Sequence, residues 1–479
     1  MSKDYSKYFS KPSIRDARKR KTEDTPVLDF NDYFNVQGIG KGKTYIIQTY
    51  GCQGNEADSE KIAGILEALD FTKATDLHEA DLILLNTCAV RENAENRVFG
   101  ELGRLKQYKK NNPDLILGVA GCMPQEEAVV NRILSKFKYV DLVFGTHNIH
   151  KLPTYLETVL FSKERVIEVF SEEGSIVENM PKIRDHTKKA WVNIMYGCDE
   201  FCTYCIVPYT RGKERSRKPE HILEEVNKLI ADGYQEITLL GQNVNSYGND
   251  FTDRTFRFKD LLEALHELPI ARVRFTTSHP KDFDEETIKV LAKGGNLMPY
   301  IHLPVQSGND EVLARMNRKY TNQDYRQLVQ TIYELIPNVS LTTDIIVGFP
   351  GETEEQFQDT LDLIVDCRFE GAFTFIYSKR DGTPAAKYDD DIPMVVKKER
   401  LQRLNALVNN GYLAGNKRFE HTTVKVLVDG VSKNDESVLA GYSEHNKLVN
   451  FKGSPKLIGT IVDVFVTEAK TWYLQGETK

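Results

Sequence analysis

The sequence predicts a multidomain α/β protein: an open parallel α/β domain, then a partial (β/α)6 barrel, then a small β-barrel. Three observations carry this prediction. Between residues 43 and 161, and again from 191 to 377, short apolar runs alternate with stretches of helical periodicity, the pattern of parallel sheets covered by helices. The second region holds six such units, short of the eight that close a barrel. After residue 417 helical periodicity gives way to short alternating runs punctuated by glycine.

Composition narrows the function. A chain of 479 residues suits two to four domains, and 40% hydrophobic with 28% charged residues is ordinary for a globular protein. The net charge of -7 excludes a globally basic nucleic-acid coat but leaves room for a local basic groove. No apolar run approaches the ~20 residues that span a bilayer. The opening Met1-Ser2-Lys3-Asp4 lacks the form of a signal peptide. A cytoplasmic protein with no membrane partner is therefore expected. Seven cysteines in so long a chain point to metal binding more than to disulfides.

Residues 1–42 lack apolar periodicity, and Lys11, Arg15, Arg18, Lys19, Arg20 and Lys21 make their first half basic. They read as a disordered extension, with a phosphate-binding arm as the alternative. Leu28, Phe30, Tyr33 and Phe34 are available to pack on the first domain.

The first domain, 43–161, shows strands at Tyr45–Gly51, Leu82–Thr87 and Leu115–Gly121, each followed by a cysteine: Cys52, Cys88 and Cys122. A fourth strand is expected at Leu142–Gly145. The cysteines stand 36 and 34 positions apart, about one βα unit each. The carboxyl edge of an open α/β sheet is where ligands bind, so topology brings the three thiols toward one spot. They read as ligands of an iron–sulfur cluster with one iron left free, against the alternative of three inert buried cysteines. Residues 162–189 are charged and weakly periodic and read as a linker with one strand near Arg165–Phe170.

The central domain, 190–416, opens with an apolar segment, Trp191–Gly197, that runs into Cys198-Asp199-Glu200-Phe201-Cys202-Thr203-Tyr204-Cys205. Three thiolates at Cys-x3-Cys-x2-Cys spacing can hold three irons of a cubane cluster and leave the fourth open for chemistry, with a zinc site lacking its fourth ligand or three unrelated buried cysteines as the alternatives. Strand ends are expected at Gly197, Gln242, Ser278, Gln306, Gly348 and Tyr377, and polar residues there should line the active face. His279 and His302 read as structural, and Cys367 as core. Arg211, Lys213, Arg215, Arg217 and Lys218 form a basic run after the cluster loop and are expected to contact nucleic-acid phosphates, with a solvated loop or support of the cluster's negative charge as the alternatives.

The Cys198–Cys205 loop, with Tyr204 before its last cysteine, resembles the radical S-adenosylmethionine (SAM) superfamily. That resemblance implies that Cys198, Cys202 and Cys205 are catalytic and that the open iron binds SAM. It also implies that an electron from the cluster cleaves SAM to a 5'-deoxyadenosyl radical. Gln242, Ser278, Gln306 and Asp344 are the candidate SAM-binding residues, with backbone satisfaction as their alternative role.

Two three-cysteine sites in this order resemble the methylthiotransferase family. Thr49-Tyr50-Gly51-Cys52-Gln53, Asn86-Thr87-Cys88-Ala89-Val90-Arg91 and Gly121-Cys122 are similar to its N-terminal motifs. Tyr377-Ser378-Lys379-Arg380 departs from the family's Tyr-Ser-Pro-Arg by a lysine in place of the proline. The C-terminal region, 417–479, reads as an OB-like barrel and resembles the RNA-binding TRAM domain. Phe451, Tyr442, Trp472 and Tyr473 are its candidate stacking residues.

The resemblance implies two [4Fe-4S] clusters, SAM, and a tRNA anticodon stem-loop as partner, with an electron donor and a sulfur source of unknown identity. Cys88-Ala89-Val90-Arg91-Glu92-Asn93-Ala94 followed by Phe99-Gly100-Glu101-Leu102 is similar to the branch that methylthiolates carbon 2 of N6-dimethylallyladenosine at position 37. The alternatives are modification of threonylcarbamoyladenosine, modification of a ribosomal-protein aspartate, and a non-catalytic iron–sulfur RNA-binding redox sensor.

Overall fold

A computed structural model describes residues 25–34, 37–89, 92–169, 174–186, 188–432 and 435–478, with no side-chain description for 92–94. The basic arm of residues 11–21 lies outside the described residues, as do Val90, Arg91 and Ser171-Glu172-Glu173.

The first domain begins with β1 (Val27–Asp29), β2 (Thr44–Tyr50), β3 (Thr72–Lys73) and β4 (Leu82–Thr87). It continues with β5 (Ile116–Gly121), β6 (Leu142–Phe144), β7 (Val166–Glu168) and β8 (Ile176–Glu178). Six of these form one parallel sheet in the order β3-β2-β4-β5-β6-β7. Strands β4 and β5 are buried at every position, as central strands covered on both faces must be. Alternate residues feed two cores: Leu82 and Leu84 meet Ile62 and Leu66, while Ile83 and Leu85 meet Val98 and Leu102.

The segments read from sequence as extension and linker do more than connect. Strand β7 is the sheet's edge strand, and β8 pairs in parallel with β1. Phe30 is buried in the first core, with Phe34 packed against it. The packing of Phe30 and Phe34 and the strand near Arg165–Phe170 follow the sequence reading, whereas the β1–β8 pairing is not legible in weakly periodic runs.

The central domain contains β9 (Lys189–Asn193), β10 (Met195–Tyr196), β11 (Arg215–Ser216), β12 (Glu236–Leu240), β13 (Arg272–Phe275), β14 (Tyr300–His302), β15 (Ser340–Val347) and β16 (Ala372–Ile376). Parallel triplets β9-β12-β13 and β14-β15-β16 are joined by a bridge between Val273 and Leu297. This is the six-stranded open barrel expected from the sequence. The apolar run read as one strand through Gly197 is broken: Ile194 donates to the Leu240 carbonyl, and β10 then turns to pair antiparallel with β11.

Helix Met394–Lys417 covers the outer face of β16, where Thr374 bonds Asn405, and leads to the last domain. There β17 (Thr423–Val431), β18 (Val438–Ser443), β19 (Leu448–Lys452), β20 (Ile461–Ala469) and β21 (Leu474–Thr478) close a barrel. It docks at the amino ends of the central strands. Arg272 donates to the Tyr442 and Lys425 carbonyls at 2.9 Å each, and Arg274 to the Ser443 and Glu444 carbonyls. Glu236 lies beside both guanidiniums, so these buried charges are paired as burial demands.

The candidate two-cluster active site

The parallel register of the first sheet gathers Cys52, Cys88 and Cys122. Tyr50, Thr87 and Gly121 form the last row of β2, β4 and β5. One residue on, Cys88 N–H donates to the Tyr50 carbonyl and Cys122 N–H to the Thr87 carbonyl. Cys52 stands at the start of helix Gln53–Ala68. Gly121 has φ +101°, and a Cβ there would lie 2.4 Å from the Thr87 carbonyl oxygen, so only glycine lets β5 close on β4 at this point. Asn55 and Asn86 bond each other and Thr87, tying helix to strand ends.

Cys198–Cys205 is held differently, by clamps from a distant loop. Thr203 N–H and hydroxyl donate to the Met316 and Arg315 carbonyls, and Asn317 donates to the carbonyls of Glu200 and Phe201. Gly197 has φ +79°, and a Cβ there would lie 2.0 Å from the Lys213 carbonyl oxygen, so the loop entry also requires glycine.

Each site carries one buried arginine on a sulfur. Arg318 Nη1 lies 3.4 Å from Cys202 Sγ, and Arg211 Nε lies 3.1 Å from Cys122 Sγ. Arg211 comes from the central domain, just after Cys205, and also bonds Asp58 at 2.8 Å. Ala89, Cys122, Ile206 and Tyr209 pack as one apolar contact, so the two cysteine loops face each other. A hydrogen bond with Cys88 leads in holding the Cys52 thiol down to about 5, whereas burial pushes Cys122 up to about 11 and Cys205 to about 12.

The basic run departs from its expected role. Arg211, Arg215 and Arg217 are buried, not presented to phosphates. Arg217 forms a two-pronged pair with Glu178 and reaches Glu225 at 2.8 Å. The antiparallel β10–β11 turn carries the run under the first domain, where Asp58 and Glu178 meet it from afar and Glu225 from the helix that follows. Sequence gave no signal for these partners beyond the clustering of arginines beside the cysteines.

The four candidate SAM-binding residues also separate. Gln242 Oε1 accepts from Gly197 N–H at 2.6 Å and thus anchors the cluster loop. Gln306 adopts φ +73° and exchanges backbone bonds with β15. Asp344 lies 3.2 Å from His302 Nε2. The Ser278 hydroxyl is buried and has no hydrogen-bond partner among the described residues. Neighbouring Asn243 Oδ1, both polar atoms of the Asn245 side chain and His279 Nε2 share that condition. His279 is pushed down by burial and then by Arg318, Lys281 and Lys319, which favours the neutral ring. Buried polar groups without partners cost free energy unless a ligand satisfies them. Their position at the carboxyl ends of β12 and β13 fits a polar co-substrate beside the cysteine loop.

Among the described residues, no three His, Cys, Asp or Glu side chains are gathered tightly enough to hold a single metal ion. Three cysteines at one sheet edge and three on one loop are donor sets of the type that holds iron–sulfur clusters.

In fold this is a radical SAM protein. The Radical SAM superfamily model matches residues 192–364, uncharacterized protein family UPF0004 matches 44–145, and the TRAM domain matches 417–479. A tRNA-2-methylthio-N(6)-dimethylallyladenosine synthase of Anoxybacillus flavithermus is 60% identical over 481 residues, covering 99% of this chain and 91% of that one. One of Bacillus subtilis is 60% identical over 480 residues, covering 99% and 94%. The radical SAM methyltransferase TsrM of Kitasatospora setae, solved with cobalamin and a [4Fe-4S] cluster, shares the fold. Its TM-score is 0.53 at 15% identity, covering 72% of this chain and 77% of that one. The chain belongs to the radical SAM methylthiotransferase family.

Proposed function

We propose that this chain adds a methylthio group to carbon 2 of N6-dimethylallyladenosine at position 37 of tRNA. The supporting observation is the pair of three-cysteine sites facing each other across the contact of Cys122 with Ile206. Cys198, Cys202 and Cys205 hold the cluster that works with SAM, and Cys52, Cys88 and Cys122 hold the second. When bound, the clusters and SAM supply the radical and sulfur chemistry. The protein's own work is placement. Arg318 and Arg211 set a positive charge against one sulfur of each site. Ser278, Asn243, Asn245 and His279 offer hydrogen bonds to SAM, with Asp344 and the Gln306 turn beside them.

Residues 43–161, 190–416 and 417–479 act as cluster-bearing, radical and RNA-holding modules. The adenine enters splayed from its anticodon loop, as single-stranded bases are commonly read. No helix among the described residues is long and apolar enough to cross a membrane. The site of action we propose is the cytoplasm, with an external electron donor and sulfur source.

The deciding experiment supplies reconstituted protein with tRNA bearing dimethylallyl, threonylcarbamoyl or no group at position 37. The expected result is 5'-deoxyadenosine formation with 2-methylthio product from the dimethylallyl tRNA. Preferential conversion of the threonylcarbamoyl tRNA overturns the substrate assignment. Failure to turn over SAM overturns the enzyme in favour of a sensor.

A further inference from the structure

Strand β16 is the outer strand of its triplet, paired only with β15. Its outer face is covered by helix Met394–Lys417. Its other face carries Phe373 and Phe375, which are 55% and 42% exposed. Register sets Phe373 opposite Asp344 and Phe375 opposite Ile346. The intervening residues of β15, Ile345 and Val347, are buried in the helix-covered core, so the two phenylalanines face the inside of the partial barrel. Single exposed apolar residues are ordinary, but two large rings on one face beside a reaction site are not.

The neighbourhood identifies the occupant. Ile346 and Tyr204, the latter inside the cysteine loop, both pack against the buried cluster that holds Met316, Phe349 and Tyr377. The aromatic row is therefore continuous with the radical site. Beneath it lies a polar row: Tyr300, His302 and Thr342 are hydrogen-bonded together, His302 reaches Asp344, and the His302 ring meets Phe373 edge-on at 5.7 Å. An apolar wall above a polar floor at the open side of a barrel suits a splayed base with an apolar substituent. It does not suit a substituent ending in a carboxylate, whose burial without a partner is costly.

We propose that Phe373 and Phe375 form the shelf that receives the dimethylallyl-bearing adenine and determines specificity for that group. This rests on the function proposed above. It goes further by assigning the discrimination to two named side chains.

The test titrates anticodon stem-loops carrying dimethylallyladenosine or plain adenosine at position 37 into the reconstituted full-length protein. The unaltered protein should bind the dimethylallyl form on the order of 30-fold more tightly, as burial of a five-carbon group against aromatic rings allows. The double variant Phe373→Ser/Phe375→Ser should bring the ratio to about threefold or less, and Phe373→Leu/Phe375→Leu should keep most of it. Iron content and melting temperature report whether each variant folds. An undiminished ratio in the serine variant overturns the shelf, and so does an equal loss of affinity for both RNAs. As a second readout, Phe373→Trp should change its fluorescence with the dimethylallyl stem-loop and much less with the plain one. No change with either overturns the proposal. Failure of the proposed function looks different: discrimination in binding stays intact while no 2-methylthio product forms.

Discussion

Cys198, Cys202 and Cys205 lie on one short loop, whereas Cys52, Cys88 and Cys122 reach their common edge from three successive strands. The loop is an irregular segment held by bonds to the carbonyls of Arg315 and Met316 and by Asn317. The sheet site needs no clamp, because parallel register already places Cys88 and Cys122 one residue beyond paired strand ends. Each site nonetheless has a buried arginine on a sulfur, and the sheet site borrows its arginine from the other domain. Loop ligands can thus fail locally, while Arg211 couples the two sites.

The largest effect separates the sites outright. Cys198→Ala, Cys202→Ala or Cys205→Ala should abolish SAM cleavage, since on the proposed assignment each removes a ligand from the cluster that performs it. Cys88→Ala should leave much of the SAM cleavage and abolish methylthiolation. Anaerobic iron counting with 5'-deoxyadenosine and nucleoside analysis reads both. Methylthiolation at the normal rate by the Cys88→Ala protein would break the comparison.

A second experiment probes the coupling. Arg211→Met leaves Asp58 buried with Lys61 as its remaining cation, 3.4 Å away. Breaking a buried pair on one side costs about 3–5 kcal/mol. The variant should melt earlier and lose iron chiefly from the sheet site, with Cys198–Cys205 keeping its share. Equal loss of iron from both sites would show that Arg211 supports the fold generally.

The contrast also explains what the sequence reveals. The βα units are legible because apolar runs alternate with helical periodicity, and the cysteines at strand ends make both sites visible. The fate of Arg211, Arg215 and Arg217 is not legible. Arg211 finds Asp58, and Arg217 finds Glu178 and Glu225, on other elements, and charge burial is decided by tertiary meeting. Nor does an aromatic announce its face in a small closed barrel. Phe451 is core, and Tyr442 lies under Lys189 of the central domain. Trp472 remains 60% exposed, with its ring 4.9 Å from Tyr412, and keeps its candidacy for stacking. Removing residues after 416 would also strip Arg272 and Arg274 of their carbonyl partners. Trp472→Ala is therefore the cleaner test of RNA holding, with a loss of about 1–3 kcal/mol in tRNA affinity expected and little change in melting. Unchanged affinity would remove Trp472 from the RNA surface.

The smallest effect concerns the end of the barrel opposite the cysteines. The His445 ring lies tilted against Phe419 with centroids 4.8 Å apart, and both ring nitrogens are shielded from water. Burial, and then Arg418, Lys447 and Arg274, push its pKa down to about 3. Glu370 is the nearby acid, but it lies 2.8 Å from both Arg418 and Lys447 and serves those cations. The folded protein therefore keeps His445 neutral where an unfolded chain, at about 6.5, takes up a proton. The unfolded state binds more protons below that pH, so stability falls as pH drops from about 6.5 toward 3 and levels off beneath. Between pH 7 and pH 5 the group should cost about 1–2 kcal/mol. His445→Gln removes the titration, so its stability should change less than that of the unaltered protein over the same interval. Denaturant midpoints at the two pH values, compared between the proteins, isolate this difference from every other titrating group. An identical pH dependence in both would mean that the junction between the last barrel and the central strands does not hold His445 neutral.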